Sequence, residues 1–123
     1  DEWQRQHLAD PRSVVPGSIM PGYPFLAQDR LKAADIASDL KVNAALGVPY
    51  SDEMIESALA DLRAQADPNA DAEALQKRYP GAQQRDFDGN PAELTEADAL
   101  IAYLQALGTM VDFKLYDDKA NIR

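Results

Sequence analysis

Three groups of residues in this 123-residue chain have the types that site chemistry uses. Met20 offers a thioether, a soft neutral ligand. Paired with imidazole on haem iron, a thioether stabilises the reduced metal and raises its potential. Met20 stands in Pro11 to Leu26, PRSVVPGSIMPGYPFL, where four prolines (Pro11, Pro16, Pro21, Pro24) would stiffen a loop and hold the sulfur toward a metal at little ordering cost. The plainer alternative is that Met20 fills a gap in the core, methionine's commonest role. His7 is the only histidine. A lone histidine on a helix face is usually structural or exposed, and catalysis would need a nucleophile and an orienting acid beside it. The third group is Asp86-Phe87-Asp88-Gly89-Asn90 with Glu93. It alternates oxygen side chains around a glycine as calcium loops do, but departs from the EF-hand spacing. A turn whose Asp and Asn side chains bond their own backbone accounts for it more simply. The five serines form no nucleophile elbow, and no glycine-rich phosphate loop is present.

These residues must be positioned by helices. Asp1 to Asp10 reads as a short helix with Trp3, Gln6, His7 and Asp10 on one face, stopped by Pro11. The prolines of the next segment exclude helix there. Its Val14, Val15, Ile19, Met20, Tyr23, Phe25 and Leu26 are too apolar for a solvated linker. A stiff apolar loop of this kind must rest against a core or a large flat ligand. The spacing predicts a helix over Ala27 to Leu46 with Ala33, Ile36, Ala37, Leu40 and Ala44 inward, ended by Gly47. A second runs from Asp52 to about Ala66, capped by Ser51, with Met54, Ile55, Ala58, Leu59 and Leu62 inward. Asp71 to Arg78 is a weaker, polar helix, and Gln83 to Glu93 is irregular. Thr95 opens the last helix with a T-E-A-D capping pattern in which Asp98 replaces the usual Glu or Gln. Its stripe is Ala97, Leu100, Ile101, Leu104 and Leu107, ended by Gly108. Phe113, Leu115 and Tyr116 are candidate anchors in a polar tail, and no stretch reads as a strand.

Length and composition fit one all-α domain with a single core. The net charge of −9 argues against nucleic acid and against an anionic membrane surface as partners. There is no cysteine, which removes disulfides, thiol catalysis and iron–sulfur ligation by these residues. No apolar run approaches the roughly 18 residues of a membrane span. The opening Asp1-Glu2-Trp3, already inside a helix, suggests a piece of a longer protein.

Three long strings carry a resemblance: DEWQRQHLADPRSVVPGSIMPGYPFL (Asp1 to Leu26), LGVPYSDEMIESA (Leu46 to Ala58) and RDFDGNPAELTEADALIAYLQALGTMVDF (Arg85 to Phe113). They closely resemble the region after the haem-attachment motif in subunit II of cbb3-type cytochrome c oxidases, the membrane-anchored monohaem cytochrome c subunit. The resemblance implies an electron-transfer role that feeds a haem–copper catalytic subunit, on the periplasmic face of the bacterial inner membrane. The partners implied are that subunit and the dihaem cytochrome c subunit. It implies that Met20, in Met20-Pro21-Gly22-Tyr23-Pro24, supplies one axial ligand to haem c. It also implies a class I-like cytochrome c frame, made by residues 1–26 and 91–123, with 27–90 inserted between methionine loop and terminal helix. Arg12 is a candidate partner for a haem propionate, Trp3 and Tyr23 are candidates to cover the ring, and Met110 is a rival thioether.

The chain departs from that family in having neither the C-x-x-C-H motif nor the anchor. On its own it is therefore expected to bind no haem covalently, to catalyse no bond chemistry and to self-associate through its uncovered apolar wall. Two other functions remain open. One is a docking module for oxidase assembly, with the proline loop as core; the other is a non-covalent haem site made by His7 and Met20.

Overall fold

The computed structural model describes residues 1–109, and its helices take their places from caps, prolines and apolar stripes. Helix α1 spans Glu2–Ala9, α2 Pro11–Val14, α3 Ile36–Ala45, α4 Asp52–Ala66, α5 Glu73–Arg78 and α6 Glu96–Thr109. Two 3-10 turns, Pro24–Ala27 and Ala33–Asp35, precede α3. Among the described residues the only ladder contact is an isolated antiparallel bridge between Arg30 and Thr95. The fold is all-α, and no described helix is long and apolar enough to cross a membrane.

The proline segment corrects one expectation. Pro11 opens α2 at its first position, and the Asp10 carboxylate accepts from the Arg12 amide at 3.2 Å as a cap. Pro24 likewise opens a 3-10 turn. Proline excludes helix interiors but suits the first turn, where its missing N–H has no partner to lose. The helix foreseen from Ala27 to Leu46 is also shorter, starting at Ile36. The backbone before it is committed elsewhere: Leu31 N donates to Leu94 O at 3.0 Å, and Glu96 N donates to Asp29 O at 2.9 Å. Those bonds tie the exit of the methionine segment to the start of α6. Helix α5 begins at Glu73 rather than Asp71, because the Asp71 carboxylate accepts from the Glu73 amide at 3.0 Å. Helix α6 runs through Gly108 to Thr109. Met110, Phe113, Leu115 and Tyr116 lie outside the described residues.

Other signals hold. Ser51 Oγ accepts from Met54 N at 3.2 Å, and Gly47 ends α3 with φ of 97°, backbone that favours glycine. Thr95 and Asp98 form a reciprocal capping box, Thr95 N to Asp98 Oδ2 at 3.0 Å and Asp98 N to Thr95 Oγ1 at 3.3 Å. The core comprises Ala58, Leu75, Phe87, Ala97 and Ile101, the last wholly buried. Leu75 anchors α5, otherwise polar, against α4. There the buried Asp61 receives the Arg78 guanidinium in a two-pronged pair, with Glu53 as its second carboxylate partner at 3.1 Å. The bond to Asp61 is the main reason Arg78 holds its proton more tightly than usual.

Candidate functional site

Helix α1 presents Trp3, Gln4, His7 and Leu8 along one side, the i, i+1, i+4, i+5 pattern that a helix groups on a single face. Opposite stand Leu100 and Leu104, one turn apart on α6. The helices are joined beyond the site by Gln105 Nε2, which donates to Asp1 Oδ1 and to Gln4 Oε1, each at 2.8 Å, while Arg85 pairs with Asp1 at 3.0 Å. Met20 and Tyr23 from the proline loop, with Phe25 and Leu26 from the 3-10 turn after it, complete the walls. Together they enclose an apolar cleft of about 760 Å³. That lies within the ~300–1,000 Å³ usual for small-molecule and cofactor sites.

Its surfaces carry aromatic rings in ordered pairs. Trp3 stacks on His7 with centroids 4.6 Å apart and planes 16° apart, and Tyr23 meets Phe25 edge-on at 6.0 Å. Trp3 and Phe25 each leave about half of their surface uncovered, at 55% and 49%. Large apolar side chains left open together around one cleft mark a binding surface.

The loop that carries Met20 is fastened at both ends. Upstream, Ser18 N donates to Val15 O at 2.9 Å and Ser18 Oγ accepts from Met20 N at 3.2 Å. Downstream, Tyr23 N donates to Leu8 O at 2.7 Å. Arg12 is exposed and does not line the cleft; its Nε donates to Ser18 O at 3.3 Å. Of the expected site residues, the structure therefore brings Met20, Tyr23 and Trp3 to one cleft, while Arg12 is bonded to the loop backbone and is not among the cleft's lining residues. The stripe foreseen on α6 divides: Ala97 and Ile101 are buried, Leu100 and Leu104 face the cleft, and Leu107 is exposed. His7, Leu8, Phe25 and Leu26 also belong to the cleft. The one-turn spacing of Trp3 with His7 and of Leu100 with Leu104 was the signal that could have found these walls.

The acidic group is a different feature. Asp86, Asp88 and Asp98 bring carboxylate oxygens within 4.8 Å of one another. Their bonds are structural: Gly89 N donates to Asp86 at 2.8 Å, Asn90 N to Asp88 at 2.7 Å, and Thr95 Oγ1 to Asp88 at 2.6 Å. Asp98 accepts from Asp88 N and from Thr95 N, both at 3.0 Å. Burial pushes the Asp98 carboxyl above the usual range and the Asp88 charge adds to this, while the amide donors oppose it. The segment is the Asx-rich turn leading into a capped helix, as its residues suggested.

The family model described as cytochrome c oxidase, mono-heme subunit/FixO matches residues 1–111. No curated protein gives a significant match. The family match spans every element that walls the cleft, the loop that carries Met20 included. A thioether on an apolar cleft, joined to a match over nearly the whole length, places this chain in the family of mono-haem subunits of cytochrome c oxidase.

Proposed function

We propose that this chain covers haem c in the electron-transfer subunit of a cbb3-type oxidase, where Met20 would offer its sulfur to the iron and the subunit would relay electrons to the catalytic subunit. The observation that carries the reading is Met20, half-buried on an apolar cleft of about 760 Å³ whose walls all fall within the family match. The donor set suits the group. Met20 supplies a soft neutral sulfur, and the cleft offers aromatic and aliphatic surface in place of water. The chain has no cysteine, so thioether attachment is not made by these 123 residues.

Bound haem would supply a one-electron couple. The chain's own part is to bind and to tune. A neutral thioether favours the reduced, less charged iron, and apolar walls favour it further by excluding solvent, so both raise the potential. Trp3, Tyr23, Leu100 and Leu104 would hold the group by contact. Arg12 enters through the loop, by its bond to Ser18, rather than as a group on the cleft. The catalytic and dihaem subunits are the partners this reading requires, at the periplasmic face of the membrane.

The test is electron delivery within the assembled oxidase. Rapid-mixing reduction of the complex is expected to show slowed transfer through this subunit in Met20→Leu, with haem content unchanged. Wild-type transfer in that variant would contradict the reading.

A further inference from the structure

We infer that Gly22 and Ser18 are positioning residues for the Met20 sulfur, Gly22 by letting the loop seat on the end of α1 and Ser18 by fixing the backbone at Met20. This rests on the reading of Met20 as an iron ligand.

The last carbonyls of any helix lack partners within it. In α1, Gln6 O is satisfied by Asp10 N at 2.9 Å, and Leu8 O by Tyr23 N at 2.7 Å. The methionine loop thus caps the helix that forms the facing wall. The seat is tight one residue earlier. A Cβ at Gly22 would stand 2.7 Å from Ala9 O, with Ala9 C at 3.6 Å and Pro11 Cδ at 3.7 Å beyond it. A backbone carbonyl at a helix end cannot swing aside as a side chain can. Gly22 is needed here for room and not for left-handed backbone, since the positive-φ glycines are Gly47, Gly81 and Gly89. Gly17, in the same loop, makes the contrast: a Cβ there meets nothing within 4 Å.

On the other side of Met20, the Ser18 hydroxyl accepts from Met20 N at 3.2 Å, and the Ser18 carbonyl is held by Arg12. Met20 is therefore fixed between two anchors, Ser18 two residues before it and Tyr23 three residues after it, with Gly22 seated in between. Because α1 carries Trp3, Gln4, His7 and Leu8, the separation of loop and helix sets the width of the cleft. An added methyl at Gly22 must widen it or tilt the loop, and the sulfur moves with it.

The test uses the haem-loaded, full-length subunit with imidazole as the probe, which takes the iron position when the thioether leaves. Gly22→Ala is expected to raise the apparent imidazole affinity about tenfold, to lower the midpoint potential and to speed hydrogen exchange at the Tyr23 amide. Ser18→Ala is expected to raise the affinity a few-fold, the size of one lost hydrogen bond. Gly17→Ala is expected to change none of the three. Met20→Leu serves as the reference and is expected to raise imidazole affinity most. Wild-type affinity and exchange in Gly22→Ala beside an altered Met20→Leu overturns the positioning role alone. If Gly22→Ala gives no holoprotein, wild-type affinity in Ser18→Ala does the same. Wild-type affinity in Met20→Leu overturns the ligand reading itself, and this inference with it.

Discussion

Asp98 shows how one side chain can hold two elements. Its two oxygens accept from the amides of Asp88 and Thr95, so one carboxylate closes the Asx turn and caps α6. Asparagine can accept at only one of those positions and would turn a donor toward the other. Asp98→Asn is expected to destabilise the fold by about 1–3 kcal/mol, the cost of a buried amide left without a partner, measurable by urea unfolding. The pH response follows from the direction of the shift. Burial raises the Asp98 carboxyl above its unfolded value, so on acidification the native state takes up that proton first. The stability it contributes is fully present below the unfolded value and is lost as pH rises through the raised one. In Asp98→Asn that acid-side gain should be missing, as a difference between the two acid titrations of the melting temperature. A second residue prediction concerns Asp61, buried against Arg78. Arg78→Met leaves that carboxylate without its partner and is expected to cost about 3–5 kcal/mol by the same unfolding measurement.

The elements differ in how plainly their residues declare them. Helix α4 was legible because cap, first-turn acids and apolar stripe agree, and its bounds came out at Asp52 and Ala66. Ser51→Ala should lower stability by about 1 kcal/mol, the usual worth of such a cap, readable as a fall in melting temperature. The start of α3 was not legible. Residues 28–32, Gln-Asp-Arg-Leu-Lys, hold no proline or glycine that would break a helix, but Asp29 and Leu31 spend their backbone bonds on Glu96 and Leu94. That pairing is long-range, and no local propensity announces it. The prolines misled for the opposite reason. Their rule against helix applies to interiors, and Pro11 stands at a helix start with Asp10 behind it as a cap. Phe87 was hidden inside a segment that reads as turn, yet it is 3% exposed and belongs to the core. Its neighbours Asp86 and Asp88 supply the turn chemistry while its ring points the other way, into the packing between α4 and α6.

At the scale of the molecule, α6 divides its surface between the core and the cleft. Ile101 is wholly buried in the core, and Ile101→Ala is expected to cost about 2–5 kcal/mol. On the same helix, a quarter-turn round, Leu100 and Leu104 leave that core and face the cleft. Helix α6 thus serves packing with one side and the site with the other. The apolar stripe could be read from the residues; its division between core and cleft depends on where α1 and the methionine loop lie. Composition said that the loop must rest against a core or a flat ligand, and the structure shows an open apolar cleft beside it. The family match agrees with a haem protein, and the identity of the ligand atom is what the proposal adds.

The most direct measurement is a spectroelectrochemical titration of the haem-loaded, full-length subunit with Met20 and with Met20→His. Thioether ligation predicts that the wild type shows the sulfur-to-iron charge-transfer band when oxidised. The variant should lose that band and titrate at a lower potential, because imidazole stabilises the reduced iron less than a thioether does. An unchanged band and an unchanged midpoint in Met20→His would contradict the assignment of Met20 and the account built on it.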